Sequence, residues 1–294
     1  MVKALIKKVW NKIRGKSKPA TKPVAKAPDA NVVRRASKPV HAQAPVRSHP
    51  HSKPAPKRST DWSPKLADVP VVDGKMRFQD IDLPNELLHA IHDLGFQYCT
   101  PIQQGILPSA LAGRDVTGRA QTGTGKTAAF LLTVFKRLLK NPIAGQRPVG
   151  TPRALIMAPT RELVMQIQKD AESIGSYGGF SIVGVYGGMD YDKQRQFLRR
   201  KAIDLVVATP GRLLDFKQKR DIDLSQVEIL VIDEADRMLD MGFIPDMRKI
   251  VNSTPPKDQR QTMLFSATLT PEIMKLASQW MKEPVSVEIE PEHV

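Results

Sequence analysis

The stretch "VEILVIDEADRML", residues 227–239, decides how this chain is read. Val227, Ile229, Leu230, Val231 and Ile232 form a short apolar run, which predicts a buried strand. Asp233, Glu234 and Asp236 follow where that strand meets solvent, in a chain whose formal net charge is +15. Such a cluster either favours the N-terminus of the next helix or holds a cation.

Runs of the same kind recur on both sides of it: "RALIMA" (153–158), "FSIVGVY" (180–186), "DLVVAT" (204–209), "TMLFSA" (262–267) and "PVSVEIE" (284–290). Between them lie segments such as "ELVMQIQKDAESIG" and "EIMKLASQWMK", with apolar residues three and four apart. Strands alternating with helices predict βαβ units: an α/β domain with a mainly parallel sheet and helices on both faces. Ligands of such sheets bind beyond the carboxyl ends of the strands, which is where Asp233 falls.

The charge is unevenly spread. Residues 1–70 hold 17 Lys and Arg against Asp29, Asp61 and Asp68, a net of +14, which leaves +1 for the rest. Within them, "MVKALIKKVWNKIRGK" (1–16) puts Val2, Leu5, Ile6, Val9 and Ile13 at helical spacing with lysines mostly on the other face, a basic amphipathic helix candidate. Residues 17–70 shift to Lys, Pro, Ala, Ser and His, a composition that buries too little apolar surface to offset ordering entropy and reads as a disordered tether. Residues 71–294 hold the domain. The first segment could lie on an anionic membrane surface, dock on a protein partner or add charge for RNA, and a presequence is a remoter reading. No apolar run approaches the roughly 20 residues of a membrane span, and Lys3, Lys7 and Lys8 interrupt any secretory signal. The single cysteine, Cys99, excludes an internal disulfide framework and fits a reducing compartment.

"AQTGTGKTAAF" (120–130) is the second anchor. Gly123 and Gly125 let successive N–H groups face a phosphate, Lys126 supplies a point charge to it, and the Thr127 hydroxyl suits Mg²⁺. The strict pattern wants glycine at 120, where this chain has Ala120, so a flexible Gly/Thr turn is the competing reading. Pairing with a strand-ending carboxylate favours the phosphate loop: Asp233 is placed to hold the metal and Glu234 to orient or deprotonate an attacking water.

Asp233-Glu234-Ala235-Asp236 together with "AQTGTGKT" resembles the DEAD-box ATP-dependent RNA helicases. "GFQYCTPIQ" (95–103), "PTREL" (159–163), "GG" (187–188), "TPGR" (209–212) and "SAT" (266–268) follow that family's first helicase domain in order. The resemblance spans residues 78–268 and implies a RecA-like P-loop domain. "YGGMDYDKQ" and "IEPEHV" are most similar to a bacterial branch associated with RNA-degrading complexes, which implies an RNase or degradosome-type partner, RNA as ligand and a cytoplasmic setting.

The resemblance also implies roles. ATP would be held by Phe78, stacking on the adenine, by Gln103, reading the adenine edge, and by Ala120, Gln121, Thr122, Gly123, Thr124, Gly125, Lys126 and Thr127, with Mg²⁺ at Thr127 and Asp233 partly through water. Catalysis would rest on Glu234, Asp233 and Lys126. Pro159, Thr160, Arg161, Gly187, Gly188, Thr209, Pro210, Gly211 and Arg212 would line the RNA backbone track; Thr209 as N-cap and Pro210 at the first helical position suit an anion site. Asp236, Ser266 and Thr268 would couple the two sites. The family's second domain, with its arginine fingers, is expected to be missing after Val294, so nucleotide is expected to bind and to be hydrolysed very slowly. A nucleotide-gated RNA- or protein-binding module and a DNA-directed motor are the rival readings. "VTGRA" (116–120) puts Gly118 and Arg119 where a buried strand is ordinarily apolar; Arg119 would snorkel outward or meet an acidic neighbour, and the sequence gives no firmer account.

Overall fold

The computed structural model describes residues 69–143 and 145–289. The amphipathic segment 1–16, the tether up to residue 68 and "EPEHV" (290–294) lie outside the described residues. Val69 is buried, its carbonyl accepting from Arg77 Nη1 at 2.9 Å, and the Tyr98 hydroxyl donates to Pro70 O at 2.7 Å.

After a 3₁₀ turn at Phe78–Asp80 come α1 (Asn85–Asp93), α2 (Pro101–Leu111), β1 (Val116–Arg119), α3 (Lys126–Lys140), β2 (Ala154–Met157), α4 (Arg161–Ile174), β3 (Ile182–Val185) and α5 (Tyr191–Arg200). The chain continues through β4 (Leu205–Ala208), α6 (Pro210–Gln218), β5 (Ile229–Ile232), α7 (Ala235–Asp240), α8 (Ile244–Val251), β6 (Gln261–Ser266), α9 (Pro271–Trp280) and β7 (Val285–Glu288). The strands form one sheet in the order β3-β4-β2-β5-β6-β1-β7, every pairing parallel.

Alternation along each strand divides the core in two. Ala154, Ile156, Leu205, Val207, Ile229, Val231, Met263 and Phe265 face a cluster that takes in α1 to α4. Leu155, Met157, Val206, Ala208, Leu230, Ile232 and Leu264 face the other, built with α5 to α9. Both faces are covered, which is why the strands read as unbroken apolar runs.

All six apolar runs became strands. The seventh strand, β1, is the one the sequence left without an account, and it lies between β6 and β7. A Cβ on Gly118 would come 2.6 Å from Phe265 Cδ1 and 3.3 Å from Ile106 Cδ1, so the phenyl ring fills the space a side chain would need. Arg119 reaches solvent at the strand's end and pairs with Glu288 Oε2 of β7 at 3.2 Å.

The order of the strands brings the motif loops together. The loops after β1 and β5 flank the end of β6, while those after β2, β4 and β3 continue the row along the same carboxyl edge.

Candidate functional site

The loop after β1 wraps the start of α3. Gly123 and Gly125 have φ of +86° and +94°, in the left-handed region that favours glycine. Gly125 needs glycine for a second reason: a Cβ there would come 2.6 Å from Gln103 Nε2. The Gln103 amide is held at both ends, accepting from Thr100 N at 2.8 Å and donating to Gly125 O at 3.0 Å. Thr100 Oγ1 donates to Thr124 O at 2.8 Å. The start of α2 therefore braces the phosphate loop directly, and a base that engages Gln103 has to share or exchange these bonds.

Lys126 and Asp233 are 6% and 2% exposed, with Lys126 Nζ 3.5 Å from Asp233 Oδ1 and 3.3 Å from Ala120 O. Burial pushes the Asp233 carboxyl up from its ordinary value, opposed by the Lys126 ammonium. Glu234 adopts φ +53°, a costly conformation for a residue with a side chain. That turn sets its carboxylate over the phosphate loop, where Oε1 accepts from Thr122 Oγ1 at 3.4 Å and Oε2 from Arg237 Nη1 at 3.2 Å.

A cavity of about 390 Å³ runs from Asp233, Glu234, Lys126 and Thr127 to an aromatic end formed by Phe78, Phe96 and Tyr98. Phe78 is only 2% exposed and stacks on Phe96, whose ring centroid is 6.1 Å away and which is 41% exposed. Phe96 is thus the more accessible ring, and sequence reasoning passed over it although it sits inside "GFQYCTPIQ". Also missed was the wall supplied by α4, with Leu163, Gln166, Asp170 and Ser173. Cys99 is buried, and burial pushes its thiol up to about 12, which makes it an inert packing residue.

From α7 the Asp236 carboxylate reaches the end of β6. Its Oδ2 accepts from Ala267 N, Thr268 N and Thr268 Oγ1 at 3.0, 3.1 and 3.3 Å, while Asp236 N donates to Ser266 Oγ at 3.2 Å. Ser266 O in turn accepts from Ala120 N at 3.1 Å. The three residues expected to couple the sites thus form one bonded unit with the phosphate loop.

Further along the edge, Thr160 caps α4 by accepting from Leu163 N at 3.3 Å, and Arg161 packs its guanidinium over Tyr186, 5.6 Å from the ring centroid. Arg161 Nη1 also lies over Gly188, where a Cβ would come within 2.9 Å. Thr209 and Pro210 open α6, and Arg212 donates to Met189 O at 3.3 Å. The structure thus gathers "PTREL", "GG" and "TPGR" at the ends of three neighbouring strands. Pro159 and Pro210 are buried and set the entry of the helices, while Arg161, Gly187, Gly188 and Gly211 are exposed.

The family profile described as DEAD/DEAH box helicase matches residues 100–276, more than half of the chain. The chain belongs to that family. It is similar to the ATP-dependent RNA helicase RhlB of Pseudomonas putida, with 58% identity over 222 residues, 76% of this chain and 56% of that protein. The protein of the same name from Xanthomonas oryzae pv. oryzae is 48% identical over 230 residues, 78% of this chain and 40% of that one. A crystal structure of a hypothetical ATP-dependent RNA helicase from Sulfolobus tokodaii superimposes with a TM-score of 0.62 at 38% identity, over 70% of this chain and 57% of that chain. The RecA-like fold and the resemblance to one bacterial branch, which goes by the name RhlB, are both borne out. The chain spans about half the length of the curated relatives it matches first.

Proposed function

We propose that residues 71–294 form the first helicase domain of an ATP-dependent RNA helicase, binding Mg·ATP beyond β1 and β5 and an RNA backbone beyond β2, β3 and β4. The observation that carries this reading is the buried Lys126–Asp233 pair at the mouth of a glycine-turned loop. Lys126 offers its charge to the terminal phosphates, and the free N–H groups at the start of α3 face the same anion. Glu234, fixed by its strained backbone and by Thr122, is placed to orient a water against the γ-phosphate.

The donor set suits Mg²⁺. Among the described residues no three His, Cys, Asp or Glu side chains gather as a metal cage, and Mg²⁺ is ordinarily held by one or two carboxylates together with substrate phosphates. Asp233 and the Thr127 hydroxyl would hold it, and when bound it neutralises charge on the phosphate oxygens. Fast hydrolysis also needs cations on the far side of the γ-phosphate, which the family resemblance places in a second domain.

RNA is gripped through its backbone by Arg161, Arg212 and the starts of α4 and α6, with residues 1–70 adding sequence-independent charge. The single cysteine supports a reducing, cytoplasmic setting. No helix among the described residues is long and apolar enough to cross a membrane. Likeness to the RhlB branch extends the proposal to a role in RNA degradation beside an RNase-type partner.

Calorimetric titration with Mg·ATP tests the reading. Lys126→Ala is expected to weaken binding at least 100-fold, the equivalent of about 3 kcal/mol, while Glu234→Gln is expected to bind within about threefold of the unaltered chain and to lose RNA-stimulated phosphate release. Equal binding by the Lys126 variant overturns the nucleotide reading. Nucleotide-dependent RNA binding with no phosphate release, even with the second helicase domain of a relative added, would instead mark a nucleotide-gated binding module.

A further inference from the structure

We propose that Asp170 is a nucleotide-recognition residue, its carboxylate accepting a hydrogen bond from the nucleoside half of the bound nucleotide. This rests on the nucleotide reading of the cavity and deepens it.

Asp170 lies on α4, a helix whose first turn alone belongs to a motif, "PTREL". Gln166, Asp170 and Ser173 follow one another at four and three residues, so they share one face of the helix. All three line the cavity that contains Lys126, Thr127 and the aromatic end. The cavity therefore has two unlike walls. One carries Phe78, Phe96 and the Gln103 amide, already committed to Thr100 and Gly125. The other is α4, where the carboxylate is the strongest hydrogen-bond acceptor.

Its neighbours are otherwise engaged. Gln168 donates to Glu172 Oε1 at 2.9 Å, and Ser173 Oγ donates to Lys169 O at 3.0 Å. Asp170 itself makes no hydrogen bond and no ion pair among the described residues. Burial pushes its carboxyl up from the ordinary value, with only the adjacent Lys169 opposing. A half-buried carboxylate without a protein donor bears a desolvation cost that an incoming donor offsets. Phosphates do not suit it, because they carry the same charge, and they are drawn to Lys126 and the start of α3. A neutral donor does suit it. On a nucleotide the neutral donors are the ribose hydroxyls and the exocyclic amine of adenine.

The experiment titrates the full 294-residue chain and its Asp170→Ala, Asp170→Asn and Lys126→Ala variants with ATP, 2′-deoxy-ATP, 3′-deoxy-ATP and purine riboside triphosphate, each with Mg²⁺, by calorimetry. Asp170→Ala is expected to lose about tenfold in ATP affinity, the scale of one hydrogen bond to a charged acceptor. Asp170→Asn, which keeps a carbonyl acceptor, is expected to lose about threefold and carries the test if the alanine variant does not fold. The loss should vanish for the analogue that lacks the donor: a deoxy compound if the ribose is bound, purine riboside triphosphate if the amine is. Variants that bind ATP as tightly as the unaltered chain overturn the inference. So does a loss of equal size for every analogue, which would show Asp170 acting through the fold. If Lys126→Ala binds ATP as well as the unaltered chain, the nucleotide reading itself falls, and that outcome is distinguishable from failure of the Asp170 inference alone.

Discussion

Asp236 accepts from both the backbone N–H and the hydroxyl of Thr268, at 3.1 and 3.3 Å, and so ties the start of α7 to the turn that leaves β6. Ser266 completes the link, with its hydroxyl bonded to Asp236 N and its carbonyl to Ala120 N. The phosphate loop, the end of β6 and the start of α7 are thus joined by a continuous set of hydrogen bonds that any shift of α7 must rearrange. If the two sites are coupled as proposed, this link is the element on the nucleotide side through which the coupling would pass.

Asp236→Ala leaves four donors, Arg237 N, Ala267 N, Thr268 N and Thr268 Oγ1, without their acceptor at a partly exposed position. Unfolding free energy from urea titration is expected to fall by about 1 kcal/mol, because water replaces part of what is lost. The coupling should suffer more. Oligouridylate is expected to raise nucleotide affinity by about fivefold or more in the unaltered chain and by less than about twofold in the variant. The check is fluorescent-nucleotide titration with and without RNA, and an unchanged ratio would show that the link is purely structural.

Asp233 gives the pH dependence. Its carboxyl is held above its ordinary value of 3.8 in the folded chain, so the folded state binds that proton more tightly than the unfolded state. The resulting stability is present at low pH and is lost as pH rises through the folded value. Asp233→Asn removes the titration, so the stability of the unaltered chain relative to this variant should decline from roughly pH 4 upward in urea denaturation. Mg·ATP affinity should move the opposite way, rising with pH in the unaltered chain, because the charged carboxylate is the form that serves a cation.

The contrast between β5 and β1 shows what the sequence makes legible. Ile229 to Ile232 are buried by helices on both faces, and that environment selects an apolar run visible without any structure. Gly118 and Arg119 answer to Phe265 and Glu288, residues almost 150 or more positions away, and no local pattern carries that information. The motif loops were legible for a related reason: the residues of each lie close together in sequence. Gln103 was expected at the adenine edge and does line the cavity, but its two hydrogen bonds, with Thr100 and Gly125, depend on how α2 meets α3. Asp170 and Phe96 were passed over because a single carboxylate on an amphipathic helix, or one aromatic after a helix, resembles ordinary surface until the cavity is seen.

Gly118→Ala tests the β1 account. The added methyl would meet the Phe265 ring at 2.6 and 2.8 Å in the middle of the sheet, where neither strand can retreat. Overpacking of this kind costs about 1–3 kcal/mol. Phe265→Leu alone is expected to cost about 1 kcal/mol, yet the double variant should be more stable than the sum of the two losses predicts, by about 1 kcal/mol. Strict additivity in urea titration would show that the two side chains do not compete for the same space.

The arginines of the carboxyl edge test the RNA track. Arg161 is held over Tyr186 and Gly188, and Arg212 over Tyr191 with a bond to Met189 O, so both guanidinium groups are oriented before any strand arrives. A prepositioned cation that neutralises one phosphate releases about one counterion. Arg161→Ala and Arg212→Ala are therefore each expected to reduce the slope of log affinity against log salt by about 1, and to weaken binding similarly for oligouridylate and oligoadenylate. Filter binding or fluorescence anisotropy across a salt series gives both quantities. A loss of affinity confined to one of the two homopolymers would place these side chains against bases, whereas an unaltered slope with weaker binding would assign them to the fold of the edge and not to the phosphate contact.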